Sequence, residues 1–199
     1  MSDPAAVPPL LDARNIACQR GGRMIFAGVT LTIGAGQSLL VRGPNGAGKS
    51  SLLRVLGGLI PCLHGTIDRH APIALADEHL ALDPDNRLEQ ALAFWARMDG
   101  VDRERLDFAL HHFRLRELAD IPVRMLSTGQ RKRAILARTM ASGARLWLLD
   151  EPGNGLDAAS LRGLGDAMAA HLAAGGGIIA ASHFDLSHQF GTVVELDWR

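Results

Sequence analysis

The segment Gly43-Pro44-Asn45-Gly46-Ala47-Gly48-Lys49-Ser50 restricts what this chain can fold into more than any other feature. It satisfies G-x-x-x-x-G-K-[ST] at every fixed position, and that pattern carries a mechanism. The glycines let backbone N–H groups turn toward one point and cradle a phosphate. A lysine in the place of Lys49 reaches the β- and γ-phosphates, and a hydroxyl in the place of Ser50 ligates Mg²⁺. A helix starting at about Gly48 aims its positive end at the same anion. The flanks agree: Gln37 to Val41 reads as a buried strand, and Ser51 to Leu56 as the first turns of a helix with a broad apolar face. A nucleotide carried with Mg²⁺ is therefore the expected ligand.

The rest of the chain builds on that unit. Leu11 to Ala17 and Gly28 to Ile33 read as strands with Gly21-Gly22 turning between them, and Val29 to Ile33 alternates with a period of two. Gly65-Thr66-Ile67 and Ile73-Ala74-Leu75 are short strand candidates. From Pro84 to Ala141 the spacing becomes helical, through Leu88, Leu92 and Trp95, then Leu106, Leu110 and Phe113, then Ile135, Leu136 and Met140. Leu146 to Leu149 and Ile178 to Ala181 are strong strands separated by a helix over Ala158 to Ala174, which Gly175-Gly176-Gly177 ends. Thr192 to Leu196 is a last strand. Continuous apolar strands alternating with helices predict an α/β fold with a parallel sheet covered on both faces.

Composition excludes several classes of function. A formal net charge of zero argues against a protein whose main task is coating nucleic acid. No apolar run is long enough to span a bilayer, so any membrane role would need another chain to supply the membrane part. Met1 to Pro9 has neither the basic nor the apolar region of a signal peptide. Cys18 and Cys62 form no C-x-x-C and no zinc spacing, so reduced thiols are expected.

Leu146 to Leu149 runs into Asp150-Glu151. Ligands of parallel α/β sheets bind at the carboxyl ends of the strands, where this pair is delivered. Asp150 is placed to help hold the Mg²⁺ begun by Ser50, and Glu151 to polarise a water for in-line attack on the γ-phosphorus. Asp150-Glu151-Pro152-Gly153 also fits the D-x-x-G of GTPases. The nearest thing to their N-K-x-D is Asn154-Gly155-Leu156-Asp157, which lacks the lysine, so guanine recognition is not expected.

Leu126-Ser127-Thr128-Gly129-Gln130, followed by Arg131-Lys132-Arg133, closely resembles the L-S-G-G-Q signature of ATP-binding cassette (ABC) ATPases. Phosphate loop, signature, Asp-Glu pair, Leu156-Asp157 and His183 follow in the family's order. The resemblance implies one cassette over 1–199: a mostly parallel core sheet, an N-terminal antiparallel β subdomain and an inserted helical subdomain over roughly 84–141. It also implies ATP hydrolysis in a head-to-tail dimer. Ser127, Thr128, Gly129 and Gln130 of one copy would cap the γ-phosphate held by the other, and a helix N-terminus suits that task. His183 matches the switch histidine that contacts the γ-phosphate, and Asp157 the loop that couples the two sites. The Arg131–Arg133 run reads as a solvated helix face adding to the phosphate field.

The chain departs from the family pattern at Arg20, where an adenine-stacking aromatic is usual, and at Glu78, where a glutamine sensing Mg²⁺ and the transporter is usual. A guanidinium can stack on a purine. Thr128 replaces a signature glycine, and Asn154-Gly155 replace Ser-Ala. Further stretches resemble one branch, the haem exporter ATP-binding subunits of bacterial cytochrome c maturation. They are Arg20 to Arg23 with Phe26, Leu52-Leu53-Arg54, Leu88 to Trp95, Asp120 to Val123, Trp147, and His171-Leu172-Ala173. That branch implies a peripheral subunit on the cytoplasmic side of the inner membrane, paired with integral membrane subunits and without direct contact to haem. No haem-attachment C-x-x-C-H is present. An exporter ATPase for a lipid, drug or peptide, or a cassette protein acting outside transport, are the alternatives.

Overall fold

The computed structural model describes residues 8–78, 81–183 and 186–196. Strands β1 (Leu11–Arg20) and β2 (Arg23–Ile33) form a hairpin around Gly21-Gly22, each reaching closer to the turn than the apolar pattern alone suggests. With β4 (His64–Arg69) they make an antiparallel sheet in the order β2-β1-β4. The second sheet is wholly parallel: β5 (Ile73–Ala76), β6 (Leu146–Asp150), β7 (Gly177–Ala181), β3 (Ser38–Arg42) and β8 (Thr192–Glu195), in that spatial order. Its central strands β3, β6 and β7 read as continuous apolar runs because both faces are covered.

The two faces separate residue by residue, as the pleat requires. Leu39, Val41, Leu146, Leu148, Ile179 and Ala181 pack with α1 (Lys49–Leu56) and the antiparallel sheet. Leu40, Trp147, Leu149, Ile178 and Ala180 pack on the opposite face. There they meet α2 (Leu88–Met98), α3 (Arg103–His112), α4 (Thr128–Ala141) and α5 (Ala158–Ala173). The helical spacings supply the contacts: Leu88, Leu92, Leu106, Leu110 and Leu136 are all buried. A fully buried leucine contributes about 1.5–3 kcal/mol of transfer free energy, so this row secures α2 and α3 against each other and against α4, which in turn packs on β5 of the sheet. Among the described residues no helix is long and apolar enough to cross a membrane.

Candidate functional site

The parallel register brings the expected residues to one edge. Val41 of β3 and Asp150 of β6 both pair with Ala181 of β7. β6 and β7 therefore end level and β3 one residue further on, and the residues that follow the three strands are Gly43, Glu151 and Ser182-His183. Chain order scatters these groups; strand register gathers them.

The loop between β3 and α1 is held from inside. Gly48 sits at φ 98 in the left-handed region, where a Cβ would come within 2.5 Å of Ile25 Cγ2. No other residue type fits there without displacing β2. The start of α1 has no side-chain cap and no acid in its first turn. Its amides therefore keep the positive potential of a helix start. Lys49 is buried, and its Nζ donates to the carbonyls of Gly43 at 2.8 Å and Pro44 at 3.1 Å. The ammonium thus straps the loop into a closed curve at the mouth of the helix.

The acids form the opposite wall. Asp150 is buried; desolvation pushes its carboxyl above the usual range, against a hydrogen bond from Ser50 and the charges of Arg54 and Lys132. Its Oδ1 is buried with no hydrogen-bond partner among the described residues. A buried carboxylate oxygen left unmade beside a serine hydroxyl has the hard-oxygen chemistry a divalent cation selects. Glu151 stands at φ 44, an uncommon conformation for this residue type. Its Oε1 lies 2.9 Å from Nδ1 of His183, while Oε2 is buried without a hydrogen-bond partner among the described residues. Thr128, Lys132 and Glu78 join Ser50, Asp150 and Glu151 in lining one cavity of about 660 Å³.

Other expected residues have different surroundings. Arg20 is exposed and lines a separate hollow with Arg54, Gly57, Leu59 and Asp77. Asp157 caps α5, its carboxylate accepting from the Ser160 amide at 2.7 Å, which holds its pKa below the usual range. Ser127 caps α4 in a reciprocal box. Its hydroxyl accepts from the Gln130 amide at 3.2 Å, and Gln130 Oε1 accepts from the Ser127 amide at 2.8 Å. Gly129 meets the loop after β6 so closely that a Cβ would lie 2.9 Å from the Gly155 carbonyl.

The basic run is the solvated face its composition predicts only in part: Arg131 is exposed and Arg133 half-buried, but Lys132 turns inward. Arg131 donates to the Arg124 carbonyl at 2.9 Å, and Arg133 to those of Phe113 at 3.0 Å and Arg114 at 3.2 Å. Lys132 is 8% exposed and donates from Nζ to the Asp150 carbonyl at 3.1 Å. Burial pushes its pKa down, and the charges of Asp150, Glu151, Asp77 and Glu78 oppose that shift. The physical reason is helix geometry: adjacent residues point about 100° apart, so a three-residue run cannot share one face. Nothing in a charge run marks which member turns inward. Sequence reasoning also missed the Arg54–Asp77 ion pair at 3.1 Å, which joins α1 to the segment leading to Glu78.

The model of the ABC transporter family matches residues 26–154. The cytochrome c biogenesis ATP-binding export protein CcmA of Sphingopyxis alaskensis is 51% identical over 178 residues, covering 89% of this chain and 92% of that protein. Its namesake in Novosphingobium aromaticivorans is 50% identical over 177 residues, covering 89% and 90%. A solved ATP-binding subunit of an ABC transporter superposes with a TM-score of 0.83 at 24% identity, over 88% of this chain and 80% of that one.

Proposed function

Since the chain belongs to the ABC transporter family, in the branch of the cytochrome c biogenesis ATP-binding export proteins, we propose that it hydrolyses ATP to drive haem export, or release of the haem-loaded chaperone, during cytochrome c maturation. It works as a pair of copies on the cytoplasmic side of the inner membrane, bound to integral subunits that supply the passage. Neither nucleic acid nor haem itself contacts this chain.

The chemistry follows from the strand-end edge. The uncapped start of α1 and the buried Lys49 bind the β- and γ-phosphates, with Gly43 to Ser50 wrapping them. Ser50 and Asp150 would hold Mg²⁺, which offsets charge on the phosphates when bound. Glu151 accepts a proton from the attacking water through Oε2 as the new O–P bond forms and the bond to ADP breaks. His183 fixes the Glu151 carboxylate through Oε1 and reaches the γ-phosphate as the site closes. Ser127, Thr128, Gly129 and Gln130 of the second copy seal that phosphate from the other side. Arg20 and Glu78 serve the adenine and the membrane subunits, and Asp157 links the two sites. The observation that carries this reading is Glu151 itself: one carboxylate oxygen tethered to His183, the other buried with no hydrogen-bond partner among the described residues.

Deletion of the gene followed by haem staining tests the cargo assignment. Loss of covalently attached c-type cytochromes, restored by the wild-type gene but not by Glu151→Gln, is the expected result. Normal cytochromes in the null strain would move the assignment to an exporter for another cargo.

A further inference from the structure

We propose that Lys132 is a positioning residue for Glu151, holding the peptide unit through which Glu151 takes its uncommon backbone conformation. This rests on Glu151 being the proton acceptor. The peptide bond between Asp150 and Glu151 is a rigid plane with one acceptor and one donor. Both are engaged, and from different elements. The Glu151 N–H donates to the Ala181 carbonyl at 2.8 Å, from β7. The Asp150 C=O accepts from Lys132 Nζ at 3.1 Å, from α4. Fixing both ends of the plane fixes its tilt, and the tilt limits φ at the next residue. That φ is 44.

A left-handed conformation at a residue other than glycine is strained and persists only where the surroundings enforce it. The β7 link alone leaves the peptide free to rock about its single N–H bond. The second link removes that freedom. A lysine is also an expensive way to fill the place. Its neighbours Ala134, Ile135, Leu136 and Ala137 are apolar and buried, and an apolar side chain there would bring no desolvation penalty. The ammonium reaches the one carbonyl that decides where the Glu151 carboxylate points. Its charge stands among Asp77, Glu78, Asp150 and Glu151, which offsets its burial.

The test is steady-state ATP hydrolysis by the full chain, with ATP affinity and thermal unfolding measured on the same preparations. Lys132→Met removes the donor and keeps the length. It is expected to lower kcat by about tenfold to a hundredfold, the scale of a small misplacement of a catalytic group, with KM within about twofold. Lys132→Arg keeps a donor and is expected to restore most of kcat. In a Glu151→Gln background, Lys132→Met should add no further loss, because both changes act on one group. A Lys132→Met protein with wild-type kcat, or losses that multiply in the double variant, overturns the assignment. Should Lys132→Met not fold, Lys132→Gln takes its place. Its donor is shorter, so kcat should fall with KM held, and an unchanged kcat overturns the proposal. A fully active Glu151→Gln would instead remove the premise that Glu151 takes the proton. An inactive Glu151→Gln beside a wild-type Lys132→Met would remove the role of Lys132 alone.

Discussion

Helices α1 and α4 begin in opposite ways. α1 follows a left-handed glycine with no side-chain cap and no acid in its first turn. α4 begins with a complete reciprocal box, Ser127 and Gln130 each satisfying the other's amide. A helix start attracts an anion to the extent that its first amides lack internal partners. By that measure α1 is built to receive charge deeply, with Lys49 added beneath it. α4 can offer only the amides outside its box, those of Thr128 and Gly129. One terminus suits gripping a phosphate; the other suits touching it from the far side and letting go. α5 is a third case, capped by the carboxylate of Asp157.

Lys49→Ala should break the comparison most severely. Two hydrogen bonds to a charged group are lost from the loop, and the charge is lost from the ligand. Contacts of this kind contribute about 1.5–3 kcal/mol each, so ATP affinity should fall about a hundredfold or more by calorimetry. Gly48→Ala comes next. With φ 98 and Ile25 in the way, it should lower unfolding free energy by about 1–3 kcal/mol in denaturant titration and weaken ATP binding as well. Ser127→Ala opens the box on α4 and should cost about 1 kcal/mol of stability with ATP affinity of the isolated chain unchanged. The smallest effect separates α4 from α5. Asp157 has a pKa lowered in the folded state, so the unfolded chain binds its proton first as pH falls. Its stabilisation is present above the ordinary carboxylate range and is lost as pH drops through the lower folded value, below about pH 4. Asp157→Ser, a cap that does not titrate, should flatten that part of the stability–pH curve.

What could be read in the sequence follows from what periodicity encodes. The strand-end edge was legible because a phosphate loop, a buried strand ending in two acids, and a second buried strand ending in Ser182-His183 must all open at the same side of a parallel sheet. The two-faced core was legible in the uninterrupted runs Leu146 to Leu149 and Ile178 to Ala181. Lys132 was not, because reading a charged run as solvated averages over residues that point in different directions. The boxed start of α4 was written in Ser127-x-x-Gln130, but the same residues also spell an anion site, and the two meanings are compatible. Arg20 is a further case: a family pattern gives its position along the chain but not its surroundings, a hollow that it lines with Arg54 and Leu59.

A triphosphate gripped at α1 of one copy and sealed by α4 of another requires two chains to close on each nucleotide. Sedimentation velocity on Glu151→Gln, with and without ATP, tests it most directly. A monomer is expected without nucleotide, and with ATP a dimer that is lost on adding Gly129→Asp, whose carboxylate would face the partner's phosphate. A Glu151→Gln chain saturated with ATP yet monomeric at every concentration would contradict it.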